Sequence, residues 1–159
     1  MTTEDPGITL FIHPVDVTVM MNTTVEELPI LLQKAREYAV NTMRNTLATH
    51  DLTEQQWRVI RSTFESGELN AQDLARKSAI LGPSLSRILN RLEEDGILNR
   101  KVSAADQREL NISLTAKGKR LHNKVLPTLH TQYDEIGKQI GNAKLEQLAG
   151  LLNYVISLQ

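Results

Sequence analysis

Cysteine is absent from this chain of 159 residues. That removes disulfides, thiolate metal sites and thiol-based redox sensing together. Aromatic residues make up only 4%, with one Trp and two Phe. A core must therefore be built from Leu, Ile, Val and Ala, a composition that leans helical. His13, His50, His122 and His130 form no close ligand pair; the last two stand eight residues apart on one expected helix, about two turns, too far for a shared ion. No metal is expected. Cysteine is missing as a nucleophile, there is no glycine-rich phosphate loop, and the acids outside residues 51–115 are scattered, so an enzyme is not expected and no cofactor is implied. The most apolar run, Ile8 to Met21, is interrupted by His13, Pro14 and Asp16 well below membrane-spanning length. The first five residues carry Glu4 and Asp5 where a signal peptide carries base. These absences lead to the expectation of a cytoplasmic protein with no membrane partner.

What is present is an uneven charge distribution. The net charge is −1, yet Arg76 to Arg120 holds ten basic and five acidic residues while the remainder is acidic. A basic middle between acidic flanks is the footprint of a phosphate-binding surface, or else a solvated charged face.

Helix signals follow one another along the chain. Thr24-Val25-Glu26-Glu27 has the pattern of a capping box opening a first helix that runs to about His50, with Pro29 in its first turns. That helix is apolar on more than one side: Leu28, Leu31, Ala35 and Ala39 on one stripe, Leu32, Val40, Met43 and Leu47 on another, as expected where a second subunit covers part of it. Thr53-Glu54-Gln55-Gln56 is a second capping box, for a helix ending near Ser66-Gly67. Asn70 caps a short helix, Ala71 to about Ser78, with Asp73 in its first turn. A further helix spans Gly82 to Asp95, with Pro83 in its first turn and Gly96 just past its end.

That last helix carries the chemistry. Leu85, Ile88, Leu89 and Leu92 form a buried stripe at helical spacing. Ser86, Arg87, Asn90 and Arg91 fall on the opposite face, with Pro83 and Ser84 at its N-terminal edge. Helix N-termini and arginines hold phosphates, and arginine and asparagine read base edges in a major groove. An ordinary polar surface helix fits the same pattern. Next, Leu98 to Val102 and Leu110 to Leu114 alternate with period two, two strands of a hairpin whose loop contains Asp106 and Arg108. Lys101, Asp106 and Arg108 make a basic-tipped wing: a guanidinium whose direction is set by the neighbouring acid suits a minor groove. Thr115 caps the helix that follows. A mainly α chain with one small β-hairpin, in the order short helix, turn, longer helix, hairpin, is a winged helix-turn-helix.

These residues carry a resemblance. Asp106, Arg108, Leu114, Thr115 and Gly118 reproduce in full the pattern Asp-x-Arg-x5-Leu-Thr-x-x-Gly of the MarR family of bacterial transcriptional regulators, and "LEEDGILNRKV" is similar as well. The likeness covers about Leu28 to the C-terminus and is most specific from Gln72 to Gly118. "LLQKARE", "DLTEQQWRVIR" and "AILGPSLSRILNRLEEDG" resemble the subgroup that represses homoprotocatechuate and related aromatic-acid degradation operons. Gly82 departs from it, standing where arginine is expected. The resemblance implies a homodimer on a pseudo-palindromic double-stranded operator, its two reading helices in major grooves about 10 base pairs apart. The implied organisation is an N-terminal arm (1–23), a dimerisation helix (24–50), a winged helix-turn-helix domain (51–115) and C-terminal dimerisation helices (116–159). In these last helices Leu121, Val125, Leu129, Tyr133, Ile136 and Ile140 line one, expected to bend at Pro127. Gly141-Asn142 then supply a stop and a cap, and Leu145, Leu148, Leu152, Val155 and Ile156 line the other.

A ligand site is expected around Arg36, a cation in an apolar stripe. Such a group is costly unless paired. The commoner partner is an acid of another helix or subunit, or a backbone carbonyl; the sharper one is the carboxylate of a small aromatic acid, held by a bidentate contact. The resemblance implies a pocket between the dimerisation helices and the winged domain. With "THDLTEQQWR" joining the first two helices, Arg44, His50, Trp57 and Arg58 are expected near its walls, although Trp57 more commonly serves as core and His50 as a loop or capping residue. The expected function is a dimeric repressor released from DNA by such an acid. The alternative is a constitutive repressor, or one answering to a non-aromatic effector.

Overall fold

The structure, a computed structural model, describes residues 24–102 and 110–158. A 3-10 turn (Val25–Glu27) leads into α1 (Leu28–Ala48), then α2 (Glu54–Ser66), β1 (Glu68–Asn70), α3 (Ala71–Ser78), α4 (Gly82–Glu94), β2 (Leu98–Val102), β3 (Leu110–Leu114), α5 (Ala116–Ile140) and α6 (Asn142–Ile156). The chain divides between Ala35 and Arg36 into two units. In the first, Leu28, Ile30, Leu31 and Leu32 are exposed. The second contains the rest of α1 and every later element.

The capping box at Thr53 forms as the sequence predicts: its hydroxyl accepts from the Gln56 amide at 3.2 Å and Gln56 Oε1 accepts from the Thr53 amide at 2.8 Å. The one expected at Thr24 does not. The Glu27 amide, the donor that hydroxyl would take, bonds to the Thr24 carbonyl at 3.0 Å and tightens the turn to 3-10 geometry. Nor does Asn142 cap α6. Gly141 occupies that position, with no side-chain bond, and Asn142 is the first helical residue. Pro127 lies inside α5 without ending it.

The hairpin is the larger part of a three-stranded antiparallel sheet in the order β1-β3-β2. Leu98 faces Leu114, Arg100 faces Ile112 and Val102 faces Leu110, while β1 adds Leu69 beside Ile112. Period-two alternation cannot reveal a strand of three residues such as β1. Beneath the sheet lies one apolar core: Trp57 and Ile60 of α2, Leu74 of α3, Leu85, Leu89 and Leu92 of α4, Leu98 and Ile112 of the sheet, and Val125 and Leu129 of α5. Met43 and Leu47 of α1 join it. Burying each such side chain contributes about 1.5–3 kcal/mol, which fixes α4 by its apolar stripe and leaves the other face outward.

Two polar joints hold the wing to this core. Thr115 caps α5 by accepting from the Gly118 amide at 3.0 Å, and its hydroxyl donates to the Gly96 carbonyl at 2.8 Å. Arg100 of β2 donates to Glu93 at the end of α4, through Nε at 2.9 Å and through a second nitrogen. The Arg100 guanidinium holds the Glu93 carboxyl below the ordinary carboxylate range. A depressed acid pKa means that the pair is intact above the usual Glu value and is lost as pH falls through the lowered one. NMR titration of Glu93 should therefore give a midpoint that rises when Arg100 is replaced by Gln. Equal midpoints in the two proteins would show that the pair does not persist in solution.

Candidate nucleic-acid interface and effector cavity

The α4 surface is built by elimination. Leu85, Leu89 and Leu92 take the core, and Ile88 is half-buried. At 100° per residue this leaves Ser84, Ser86, Arg87, Asn90 and Arg91 outward, and all five are exposed, as is Pro83 in the first turn. Ser86 Oγ donates to the Gly82 carbonyl at 3.1 Å, and Arg91 Nε lies 3.1 Å from Asp95 Oδ2. Arg87 has no hydrogen-bond or ion-pair partner among the described residues. A guanidinium flanked by hydroxyl and amide groups has the hydrogen-bonding chemistry to meet phosphate oxygens and base edges. Lys101 is exposed on β2, opposite Asn111 of β3. Asp106 and Arg108, expected at the wing tip, lie outside the described residues, as does the N-terminal arm.

What holds α4 in place includes a residue expected elsewhere. Arg58 of α2 donates to the Ser78 carbonyl at 2.8 Å and to the Ala79 carbonyl at 3.3 Å. Ala79 adopts a left-handed conformation (φ 50°) that ends α3 and turns the chain toward α4. Arg58 thus braces the turn of the helix-turn-helix. Its Nε also lies 2.7 Å from Glu54 Oε1, a charge pair rather than a hydrogen bond because the N–H points off the oxygen.

Glu54 belongs to a second feature. A cavity of about 400 Å3 is lined by Arg36, Val40, Arg44 and Leu47 of α1 and by Thr53, Glu54 and Gln55. Arg36 donates to Glu54 Oε2 at 2.9 Å, and Glu37 bridges Arg36 and Arg44 at 3.3 Å on each side. Of the residues expected at a ligand site, the structure brings Arg36 and Arg44 together on this cavity. It does not bring His50, Trp57 or Arg58 to its lining. His50 is half-buried in the turn after α1. Trp57 is 1% exposed, in the core.

Glu54 and His122 are what sequence reasoning missed. Glu54 was legible only as a capping-box residue, although its spacing of four from Arg58 signals a pair. His122 is buried between Trp57 and Phe64, ring centroids at 5.3 and 3.7 Å and planes within 13°. Its partners lie on α2, far away in sequence.

The MarR family model matches residues 52–110, from the start of the α2 region to β3. The homoprotocatechuate degradative operon repressor of Escherichia coli is 41% identical over 133 residues, 84% of this chain and 90% of that protein. The chain belongs to the MarR family of transcriptional regulators. Members of this family are regulators and not enzymes. Two solved structures extend the likeness to nearly whole chains. The transcriptional regulator PA4135 is 37% identical with a TM-score of 0.79, over 87% of this chain and 99% of that one. NadR in complex with 4-hydroxyphenylacetate is 36% identical with a TM-score of 0.75, over 87% and 100%. This MarR-family chain shares with them a mainly helical fold carrying a small antiparallel sheet. No helix among its described residues is long and apolar enough to cross a membrane.

Proposed function

We propose that this protein is a dimeric, sequence-specific DNA-binding repressor of the cytoplasm, released from a pseudo-palindromic operator by a small aromatic carboxylic acid. The observation that carries the DNA half is the outward face of α4, with Arg87, unpaired among the described residues, beside Ser84, Ser86 and Asn90. Residues 51–115 form the DNA-binding module. Lys101 and the hairpin loop containing Asp106 and Arg108 serve as its wing. Residues 24–50 and 116–159 serve dimerisation: in α6, Leu145, Leu148, Leu151, Tyr154, Val155 and Ile156 are all exposed, an apolar surface that calls for a partner.

The cavity supports the effector half. Its volume suits a single-ring acid, and it presents two arginines above Val40 and Leu47. An incoming carboxylate competes with Glu54 for Arg36. Glu54 is also the charge partner of Arg58, and Arg58 holds the Ser78 and Ala79 carbonyls immediately before α4. Occupancy of the cavity is thereby connected to the setting of the reading helix by three consecutive contacts. A ligand acts through them only to the extent that it prefers one setting over the other. The 4-hydroxyphenylacetate in the NadR complex is an acid of this class.

The test is an anisotropy titration against DNA upstream of the protein's own gene, with and without hydroxylated phenylacetates, benzoates and cinnamates. Sequence-specific binding weakened by one acid is the expected result. Arg36→Ala should keep DNA affinity within about threefold while abolishing the response to that acid, since a bidentate charge-assisted contact is lost. A variant that still responds would remove Arg36 from the site. A constitutive repressor remains the alternative, favoured by one observation: Glu54 already neutralises Arg36.

A further inference from the structure

The leading end of α4 carries an apolar side chain for which the fold has no use. Leu81 is 82% exposed, whereas Ile80 before it and Leu85 after it are buried at 5% and 2%. It occupies the N-cap of α4 and makes no side-chain cap bond. Serine, threonine, asparagine or aspartate there would satisfy one of the orphan amides of the first turn, and a leucine is among the poorest choices. The following residue is equally uncalled for: a Cβ added to Gly82 would meet nothing within 4 Å. Folding therefore requires neither a leucine at 81 nor a glycine at 82. The result is an isobutyl group projecting beside bare backbone, just ahead of the polar face of Ser84, Ser86, Arg87 and Asn90.

We propose that Leu81 reads a thymine by packing against its C5-methyl group in the major groove, a role that presupposes the DNA binding proposed above. That methyl is the one apolar feature any base edge presents there, and apolar side chains are the groups that recognise it. Beyond Pro83 in the first turn, the outward residues of α4 are hydroxyls, an amide and guanidiniums, which read donors and acceptors and have no means of sensing a methyl. Leu81 supplies that means, and the absence of a side chain at Gly82 lets the backbone approach the duplex closely enough for a short side chain to reach. Each half-site then carries one thymine whose identity is set by Leu81 and its neighbours by Arg87 and Asn90.

The experiment uses the full chain and a duplex that it selects from random DNA. Each thymine is replaced in turn by deoxyuridine, which lacks the methyl and changes no hydrogen-bonding group. At one thymine in each half-site the replacement should weaken wild-type binding about fourfold, the worth of one buried methyl-sized group. Leu81→Ser should bind the methylated and unmethylated duplexes equally at that position, keep any sensitivity to uracil elsewhere, and show an unchanged circular dichroism spectrum. If the wild type selects a sequence but shows no uracil effect that Leu81→Ser removes, the inference is wrong while DNA binding stands. If Leu81→Ser instead converts a dimer to monomers in sedimentation, Leu81 belongs to a contact between copies and the inference is likewise wrong. A wild type that selects no sequence at all overturns the DNA-binding proposal and this inference with it.

Discussion

Replacing Gly118 with alanine is expected to destabilise the protein by about 3 kcal/mol, the upper part of the range for forcing an atom into a filled site. Gly118 is buried in the first turn of α5, and a Cβ there would stand well inside contact distance of the Ile97 carbonyl oxygen, with the Ile97 carbon and Cγ2 at 3.1 and 3.2 Å. The obstacle is backbone, so no rotamer change relieves it. The Ile97 carbonyl cannot withdraw freely either, because it accepts from the Thr115 amide at 3.0 Å. The added methyl must therefore push α5 off the strand or break the Thr115 joint. Thermal unfolding followed by circular dichroism should show a midpoint lowered by roughly 6–12 °C for a domain of this size. A shift of less than 2 °C would mean that the first turn of α5 moves aside cheaply and that the joint is not tight.

Arg87→Ala is expected to weaken binding to the selected duplex by ~1–3 kcal/mol for each half-site, the range for a side chain that reads a base edge bidentately. Arg91→Ala should cost clearly less. The two arginines lie one turn apart on the same exposed face, but Arg91 must leave Asp95 to meet DNA, whereas Arg87 has no partner to leave among the described residues. The same contact gives an effect of opposite sign: Asp95→Asn should strengthen binding by releasing Arg91 and removing a negative charge from the interface. All three variants must be compared at one ionic strength, since phosphate contacts make affinity fall steeply with salt. Arg87→Ala binding as tightly as wild type would move the reading surface off this face of α4.

The parts of the molecule legible in the sequence are those whose partners are a few residues away. The Thr53 box, the Asn70 cap with Asp73, the buried stripe of α4 and the alternation of β2 and β3 are local patterns, and each forms as expected. Thr24 carries the same local pattern as Thr53, yet its amide partner was taken by a backbone carbonyl, a competition that composition does not decide. The three-residue strand β1 is too short to show a period and exists because β3 offers it an edge. The site divides in the same way. The exposure of the α4 face followed from helical geometry alone. The acid that meets Arg36 did not, because it stands 18 positions along the chain and only the packing of α2 beside α1 selects Glu54. Arg58 was legible as a basic residue near the first two helices, but its carbonyl partners at the end of α3 came from the fold.

The sandwich of Trp57, His122 and Phe64 turns the single indole into an optical reporter of the winged core. With one Trp in the chain, all long-wavelength protein fluorescence arises from a ring shielded from water and stacked on an imidazole. Emission should be blue-shifted in the native state and move to the red only when α2 and α5 separate. Detachment of α6, whose apolar residues Leu151 and Tyr154 are exposed, would leave that colour unchanged. Far-ultraviolet dichroism and fluorescence recorded on one sample would then show different midpoints wherever α6 melts before the core that holds Trp57.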